Sequence, residues 1–374
     1  MTTTVAATGA AFKIREARFE DYGPIVSLQR RYGLGTRSYE DWSQMWLGNP
    51  LYRELRSRWP IGWVLEDRSG RIVASIGNIP LPYEWNGRPI IASSGISWVA
   101  EPGFRSASLL LLDSVVNQRG VDLYLNSTVT KEAEPAIEMF HCLRVPVGRW
   151  DERAFWVTNH RGFSASLLIK KGFPRLRFLS CVLGPASFLH ERLSGQAGLQ
   201  DTAEVECCAG FDERFDGFWE ELRWQRRNQL LAVRSREVLN WHFGDSLRNG
   251  RLWIAAVAER GRLAAYAIFD RRDNPKYALK RVRLVDYQSL NGSEELLPSL
   301  LSWGLRRCRR TGVHMLENVG RWLEDGEIIA ASAPHLRKLY AWSYFYRACQ
   351  PWLAEHLQNP SAWSPSLFDG NASL

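Results

Sequence analysis

WVLEDRSGRIVASI, from Trp63 to Ile76, is an apolar run, an acidic turn closed by Gly70, and a second apolar run. Two short apolar runs separated by that turn chemistry read as a β-hairpin. The same grammar returns as WIAAVAERGRLAAYAI, from Trp253 to Ile268, with Glu259 to Gly261 as the turn and Arg262 where Arg71 stood. Outward from each hairpin, Trp42 to Leu51 and Val238 to Leu247 place an aromatic helix upstream. Each helix leads into a loop, reading Gly48, Asn49, Pro50, Leu51 in the first case and Gly244, Asp245, Ser246, Leu247 in the second. Downstream comes one more strand, then a Leu-rich amphipathic helix, Leu109 to Gln118 and Leu296 to Arg307. Gly120 and Gly312 stop those helices, and the short apolar strands behind them end in Asn126 and Asn318.

Three landmarks in one order, twice over, imply tandem copies of a single α/β unit with an α+β mixed sheet. The copies are expected over residues 12–180 and 201–374, with a disordered N-terminus at 1–11 and a linker at 181–200. Gly195 to Thr202 is polar and Gly-containing, as a linker would be. Phe155 to Leu193 either completes the first sheet or forms the interface between the copies.

Composition narrows the function classes. The 374 residues are 45% hydrophobic, too apolar for disorder and enough for a core in each copy. No apolar run reaches the ~18 residues of a membrane span, and residues 1–11 lack the pattern of a secretory leader. A cytoplasmic chain with no membrane span is expected. Cys142, Cys181, Cys207, Cys208, Cys308 and Cys349 lack the paired spacing of a zinc site, so they read as reduced thiols and no metal is expected. The net charge of +8 suits nucleic acid, an anionic cofactor, an acidic polymer or no such partner at all. Arg306, Arg307, Arg309 and Arg310 cluster at a helix end, where cations favour the dipole, and read as a solvated face. Nucleic acid is therefore not the expected partner. Trp42, Trp46, Trp219 and Trp224 read as core.

The strand Ile90 to Ala100 runs into Glu101, Pro102, Gly103, Phe104, Arg105, Ser106, Ala107 and Ser108, then the Leu-rich helix. A strand, a tight turn and a helix N-terminus present free backbone amides and the positive end of the dipole to a pyrophosphate. At this loop the chain resembles the GNAT superfamily of N-acyltransferases, whose coenzyme A loop reads Arg or Gln, two residues, Gly, one residue, Gly or Ala. Arg105 stands at the first position, and Ser108 and Leu110 at the two small ones. In the second copy the turn from Asp286 to Glu295, with Asn291, Gly292, Ser293 and Glu294, has no leading Arg and carries acids that repel phosphate.

The resemblance implies two GNAT-like domains. The first would hold acyl-coenzyme A, acetyl or longer, as co-substrate, and the second, with its degenerate loop, would shape the acceptor pocket. The acyl group would pass directly to an amine on an amino sugar, amino acid or peptide side chain. Cofactor contacts are implied at Val99, Ala100, Phe104, Arg105, Ser106, Ala107, Ser108 and Asn126, with the thioester carbonyl at the amide of Val99 or Ala100. Glu101 is a candidate base, and Asn126 a candidate ligand of pantetheine or acceptor. The Tyr acid of the family would sit on the helix Glu134 to Cys142, which has no Tyr; His141 there reads as core or as a proton carrier. Asp286 and Glu317 are candidates to bind a cationic amine, while strand alternation separates Glu317 from His314. Two alternatives stand beside this reading: a non-catalytic GNAT-like ligand-binding protein, and an aminoacyl-tRNA-dependent peptidoglycan-type transferase.

Overall fold

Asp67 closes the first hairpin by accepting the Ser69 and Arg71 amides at 2.9 and 3.1 Å, a side-chain turn that leaves Gly70 at φ +79°. The computed structural model describes residues 3–7, 10–56, 58–148, 152–185, 202–290, 296–319, 335–338 and 342–374. Its first half runs β1 (Thr3–Ala7), β2 (Ala10–Glu16), α1 (Tyr22–Arg31), α2 (Tyr39–Leu47), α3 (Pro50–Leu55), β3 (Gly62–Asp67), β4 (Ile72–Trp85) and β5 (Arg88–Ala100). There follow α4 (Leu109–Val116), β6 (Leu123–Val129), α5 (Glu134–Met139), β7 (Leu143–Arg144), β8 (Glu152–Val157) and α6 (His160–Lys170). The second half runs β9 (Glu206–Cys208), α7 (Glu213–Gln225), β10 (Leu231–Ala232), α8 (Arg236–Arg248), β11 (Leu252–Glu259), β12 (Arg262–Arg271) and β13 (Arg281–Ser289). It ends with α9 (Leu297–Arg310), β14 (Met315–Val319), β15 (His335–Lys338), β16 (Ser343–Ala348) and α10 (Pro351–Leu357).

Two mixed sheets are built in one order. In the first, β2, β3, β4 and β5 are antiparallel neighbours and β5 meets β6 in parallel. In the second, β9, β11, β12 and β13 repeat the antiparallel run and β13 meets β14 in parallel. Asn126 and Asn318 lie at equivalent positions, each three residues beyond the start of its parallel pairing at Leu123 or Met315. The next strand of each sheet comes from the other half of the chain. β16 pairs antiparallel with β6, and β8 pairs antiparallel with β14. Phe155 to Leu193 therefore begins in the second sheet, and β10 adds itself to β4 in the first. Thr3–Ala7, in the segment expected to lack order, pairs with Ala10–Ile14.

The helices begin where short polar side chains satisfy their open amides. Ser38 caps α2 through the Asp41 amide, Asn49 caps α3 through Leu51 and Tyr52, and Asp212 and Ser235 cap α7 and α8. A buried cluster then runs through both halves, from Trp46, Ile79 and Leu125 to Phe243, Tyr266 and Ile268.

Three sequence readings change here. The Gly244 to Leu247 loop is the last turn of an unbroken α8; without the Asn-Pro pair that starts α3, a single Gly costs a helix only ~1 kcal/mol. Trp224 is 72% exposed, because α7 buries Phe215, Phe218, Trp219 and Leu222 and position 224 lies off that face. His141 is exposed and follows α5 with φ 57°, so it is neither helical nor core.

Candidate active site

β5 and β6 pair only at Ala92 with Leu123 and Ser93 with Tyr124, and then diverge. Just past that point β5 carries a bulge: Ile76 of β4 faces two residues, Ser97 and Trp98, between the pairs Gly77 with Ile96 and Ser75 with Val99. Ser97 adopts φ 51°, a left-handed conformation that L-residues rarely take. The bulge shifts the alternation by one residue. The Glu101 amide donates to Val73 in β4 at 2.9 Å, so Val99 faces β4 as well, and the Trp98 and Ala100 amides turn into the open gap. Of the two amides expected to meet a thioester, Ala100 is the one that faces the gap.

At the mouth of the gap, Pro102–Phe104 form a 3-10 turn ahead of α4. Arg105 is exposed and makes no ion pair among the described residues, and the amides of Arg105, Ser106 and Ala107 have no backbone partner. Ser108 departs from expectation, because it is buried, its amide donates to Phe104 at 2.9 Å and its hydroxyl to the Arg105 carbonyl at 2.7 Å. It braces the loop and has no donor left for a phosphate. Phe104 is half-buried against the core under α4. Glu101, the candidate base, is held by Arg71 at 2.6 and 3.0 Å and by Arg31 at 2.6 Å. Its carboxylate is thus already engaged by two guanidiniums.

Asn126 does reach the gap, where its amide nitrogen donates to Gly95 O at 3.2 Å and its oxygen accepts the Thr128 amide at 3.0 Å. Asn371, from the far end of the chain, joins it. Its side chain donates to Gly95 O at 3.2 Å and to the Thr128 hydroxyl at 2.7 Å, and accepts the Ser127 amide at 3.0 Å. Together these two amides tie the narrow end of the gap and leave the Ala100 end free. Beside it lies a cleft of about 190 Å³ lined by Gln29, Arg37, Trp42, Ile96, Ser97 and Thr128. The cleft shares Arg37 and Met45 with a second recess of about 150 Å³, to which α8 contributes Trp241, His242 and Asp245. Asp245 is paired with Arg251. Asp41 in this recess accepts the Ser38 hydroxyl at 2.7 Å and makes no ion pair among the described residues.

His242 bonds the Ser373 hydroxyl through Nε2 at 2.7 Å. Burial, helped by Arg272 nearby, pushes its pKa well below the ordinary imidazole range, so the ring is neutral near pH 7. None of Arg37, Asp41, His242 or Asn371 was visible to sequence reading. They come together only through long-range packing, and only the N-cap pattern Ser38-x-x-Asp41 left a local trace.

Asp286 and Glu317, the candidates to bind an amine, each have arginine partners of their own. Asp286 is fully buried and bonded by Arg234 at 2.9 and 3.1 Å, by Ser366 and by Gln288; Arg234 also reaches Asp369 at 3.0 Å. Burial raises the Asp286 carboxyl, but Arg234 and the hydrogen bonds outweigh it and hold it below the usual range. Glu317 is ringed by Arg283 at 2.6 Å, Arg281 at 3.3 Å and Arg153 at 3.5 Å. His314 faces Ser166 of α6 at 3.3 Å instead. All six cysteines are free, and burial pushes the Cys142 thiol up to about 12. Among the described residues no three His, Cys, Asp or Glu side chains cluster as a metal site would.

Two mixed sheets built in one order, the first with splayed parallel strands and a bulge ahead of a helix N-terminus, make a tandem GNAT-like fold, and solved structures share it. The yeast Saccharomyces cerevisiae N-myristoyltransferase with bound myristoyl-CoA superposes with a TM-score of 0.54 at 11% identity, covering 92% of this chain and 85% of its own. A GCN5-related N-acetyltransferase from Kribbella flavida gives 0.55 at 9% identity, covering 92% and 72%. One from Anabaena variabilis gives 0.51 at 11%, covering 91% and 73%. At such identities the likeness is one of fold. No protein-family model and no curated sequence matches the chain.

Proposed function

We propose that the chain transfers an acyl group from acyl-coenzyme A to an amine, with the chemistry at the splayed strands of the first sheet. The observation that carries this reading is the Ser97 bulge, which aims the Ala100 amide into the gap beside a cleft roomy enough for a reacting group. In this reading the pyrophosphate rests on the Arg105, Ser106 and Ala107 amides with Arg105 as its cation. The thioester carbonyl accepts from Ala100, where a backbone donor stabilises charge that develops as the amine attacks. The neutral amine adds to the carbonyl carbon, the C–S bond breaks, and the proton the amine loses passes through water to the departing sulfur, so that coenzyme A leaves as the free thiol. The acceptor enters through the adjoining recess, where Asp41 attracts its ammonium form before deprotonation. Asp286 and Glu317 hold the fold together and have no part in the transfer.

The test is release of free thiol from acetyl-, octanoyl- and myristoyl-coenzyme A with a panel of amino sugars, amino acids and peptides. Activity should rise with pH as the acceptor deprotonates. Asp41→Asn should raise KM for the amine several-fold with kcat nearly unchanged, since it removes binding that ground state and transition state share. Cys142→Ala and Cys181→Ala should leave turnover intact, and an acyl group trapped on either thiol would refute direct transfer. Coenzyme A binding without turnover on any amine would favour the ligand-binding reading, which the spent donors of Ser108 also fit.

A further inference from the structure

Six of the thirteen large apolar side chains exposed among the described residues fall between positions 173 and 183: Phe173, Leu176, Phe178, Leu179, Val182 and Leu183, exposed by 38 to 70%. They follow α6 on a 3-10 turn, Pro174–Leu179, and a helical stretch at 180–185. Apolar surface this concentrated is uncommon on a protein that leaves it in water. Charge says what it faces. Lys170, Lys171, Arg175 and Arg177 are exposed among these residues and make no ion pair with described residues, and no acidic residue occurs between Glu152 and Glu191.

We propose that residues 170–183 form a docking surface for an anionic lipid bilayer. The apolar side chains enter the headgroup boundary and the four cations meet lipid phosphates and carboxylates, as a basic amphipathic segment does. Insertion is shallow, since no helix among the described residues is long and apolar enough to cross a membrane. A second copy of the chain fits less well, because a two-fold contact through this patch would face one unbalanced cationic surface with another. The proposal is independent of acyl transfer, for the surface lies beside α6 and apart from the cleft at β5 and β6.

Flotation of the full chain with vesicles of phosphatidylcholine alone, and of phosphatidylcholine mixed with phosphatidylserine, tests it. Binding is expected to the mixed vesicles only and to fall as salt is added. The double variant Phe178→Asp/Val182→Asp should abolish it, and Arg175→Glu/Arg177→Glu should weaken it about 10- to 100-fold. Thermal unfolding of both should match the parent, because the side chains are exposed. Failure of the parent to bind the mixed vesicles, equal binding to both vesicle types, or a concentration-dependent dimer that Phe178→Asp dissolves would overturn the proposal.

Discussion

At the scale of single residues, the two equivalent asparagines have met opposite fates. Asn126 bonds Gly95 and Thr128. Asn318 is fully buried, and neither its amide nitrogen nor its oxygen has a partner among the described residues. An unpaired buried polar group costs ~1–3 kcal/mol, so Asn318→Leu, close in size, should stabilise the chain by about that amount in urea unfolding. Arg105 offers the functional counterpart. Loss of a charge-assisted phosphate contact costs ~1.5–3 kcal/mol, so Arg105→Ala should weaken coenzyme A binding roughly 10- to 150-fold by calorimetric titration, with little change in Tm. The residue expected to serve as its contrast, Glu294, lies outside the described residues. Arg105 could be read from sequence because a loop motif is local. Ser108 could be placed but not understood, because only the closed turn shows that its two donors are already used.

His242 has a pH signature. Its folded pKa lies below the ~6.5 of an unfolded His, so between those values the unfolded chain binds more protons and stability falls as pH falls. Depressed carboxyls such as Asp286 and Glu317 lose their contribution only further down, as pH falls through the usual carboxylate range and below it. Above the usual carboxylate range His242 contributes to the slope of Tm together with His314, whose pKa burial lowers, while Asp369, whose carboxyl burial raises, acts with the opposite sign. His242→Gln should flatten that slope in part. An unchanged slope would mean that the ring is already charged in the folded state.

At the scale of elements, two glycines inside helices make opposite predictions. A Cβ on Gly162 of α6 would lie 2.4 Å from the His314 ring, whereas one on Gly217 of α7 would meet nothing within 4 Å. Gly162→Ala should thus cost ~1–3 kcal/mol by overpacking, against the usual gain from Ala in a helix, and Gly217→Ala should gain ~0.4–1 kcal/mol. Thermal unfolding of the pair, measured side by side, checks both. Sequence showed the elements themselves well, since hairpin turns and amphipathic helices are encoded within a dozen residues. It could not show the company they keep. The α6 segment looked unassignable because its partner surface is built from His314 and β14, about 150 positions away along the chain.

At the scale of the molecule, duplication was legible and the exchange of strands was not. Hairpin, helix and strand repeat in order within each half, but nothing local in Glu152–Val157 or Ser343–Ala348 says which sheet will receive it. The exchange has a thermodynamic consequence. Each sheet is completed by a strand from the other half, the buried cluster is continuous across both, and Arg234, two residues past β10 on the first sheet, holds Asp286 of the second sheet together with Asp369. Neither half can unfold without opening an edge in the other and leaving buried charge unpaired, which alone costs ~3–5 kcal/mol. The chain should therefore melt in one calorimetric transition, with van't Hoff and calorimetric enthalpies equal, although its length would suit two independent domains. Arg234→Met should lower Tm while keeping that transition single, because it weakens both sheets at once. Two resolved transitions in the parent, or an Arg234→Met variant in which only one half melts early, would show that the halves fold as separate units despite the strands they share.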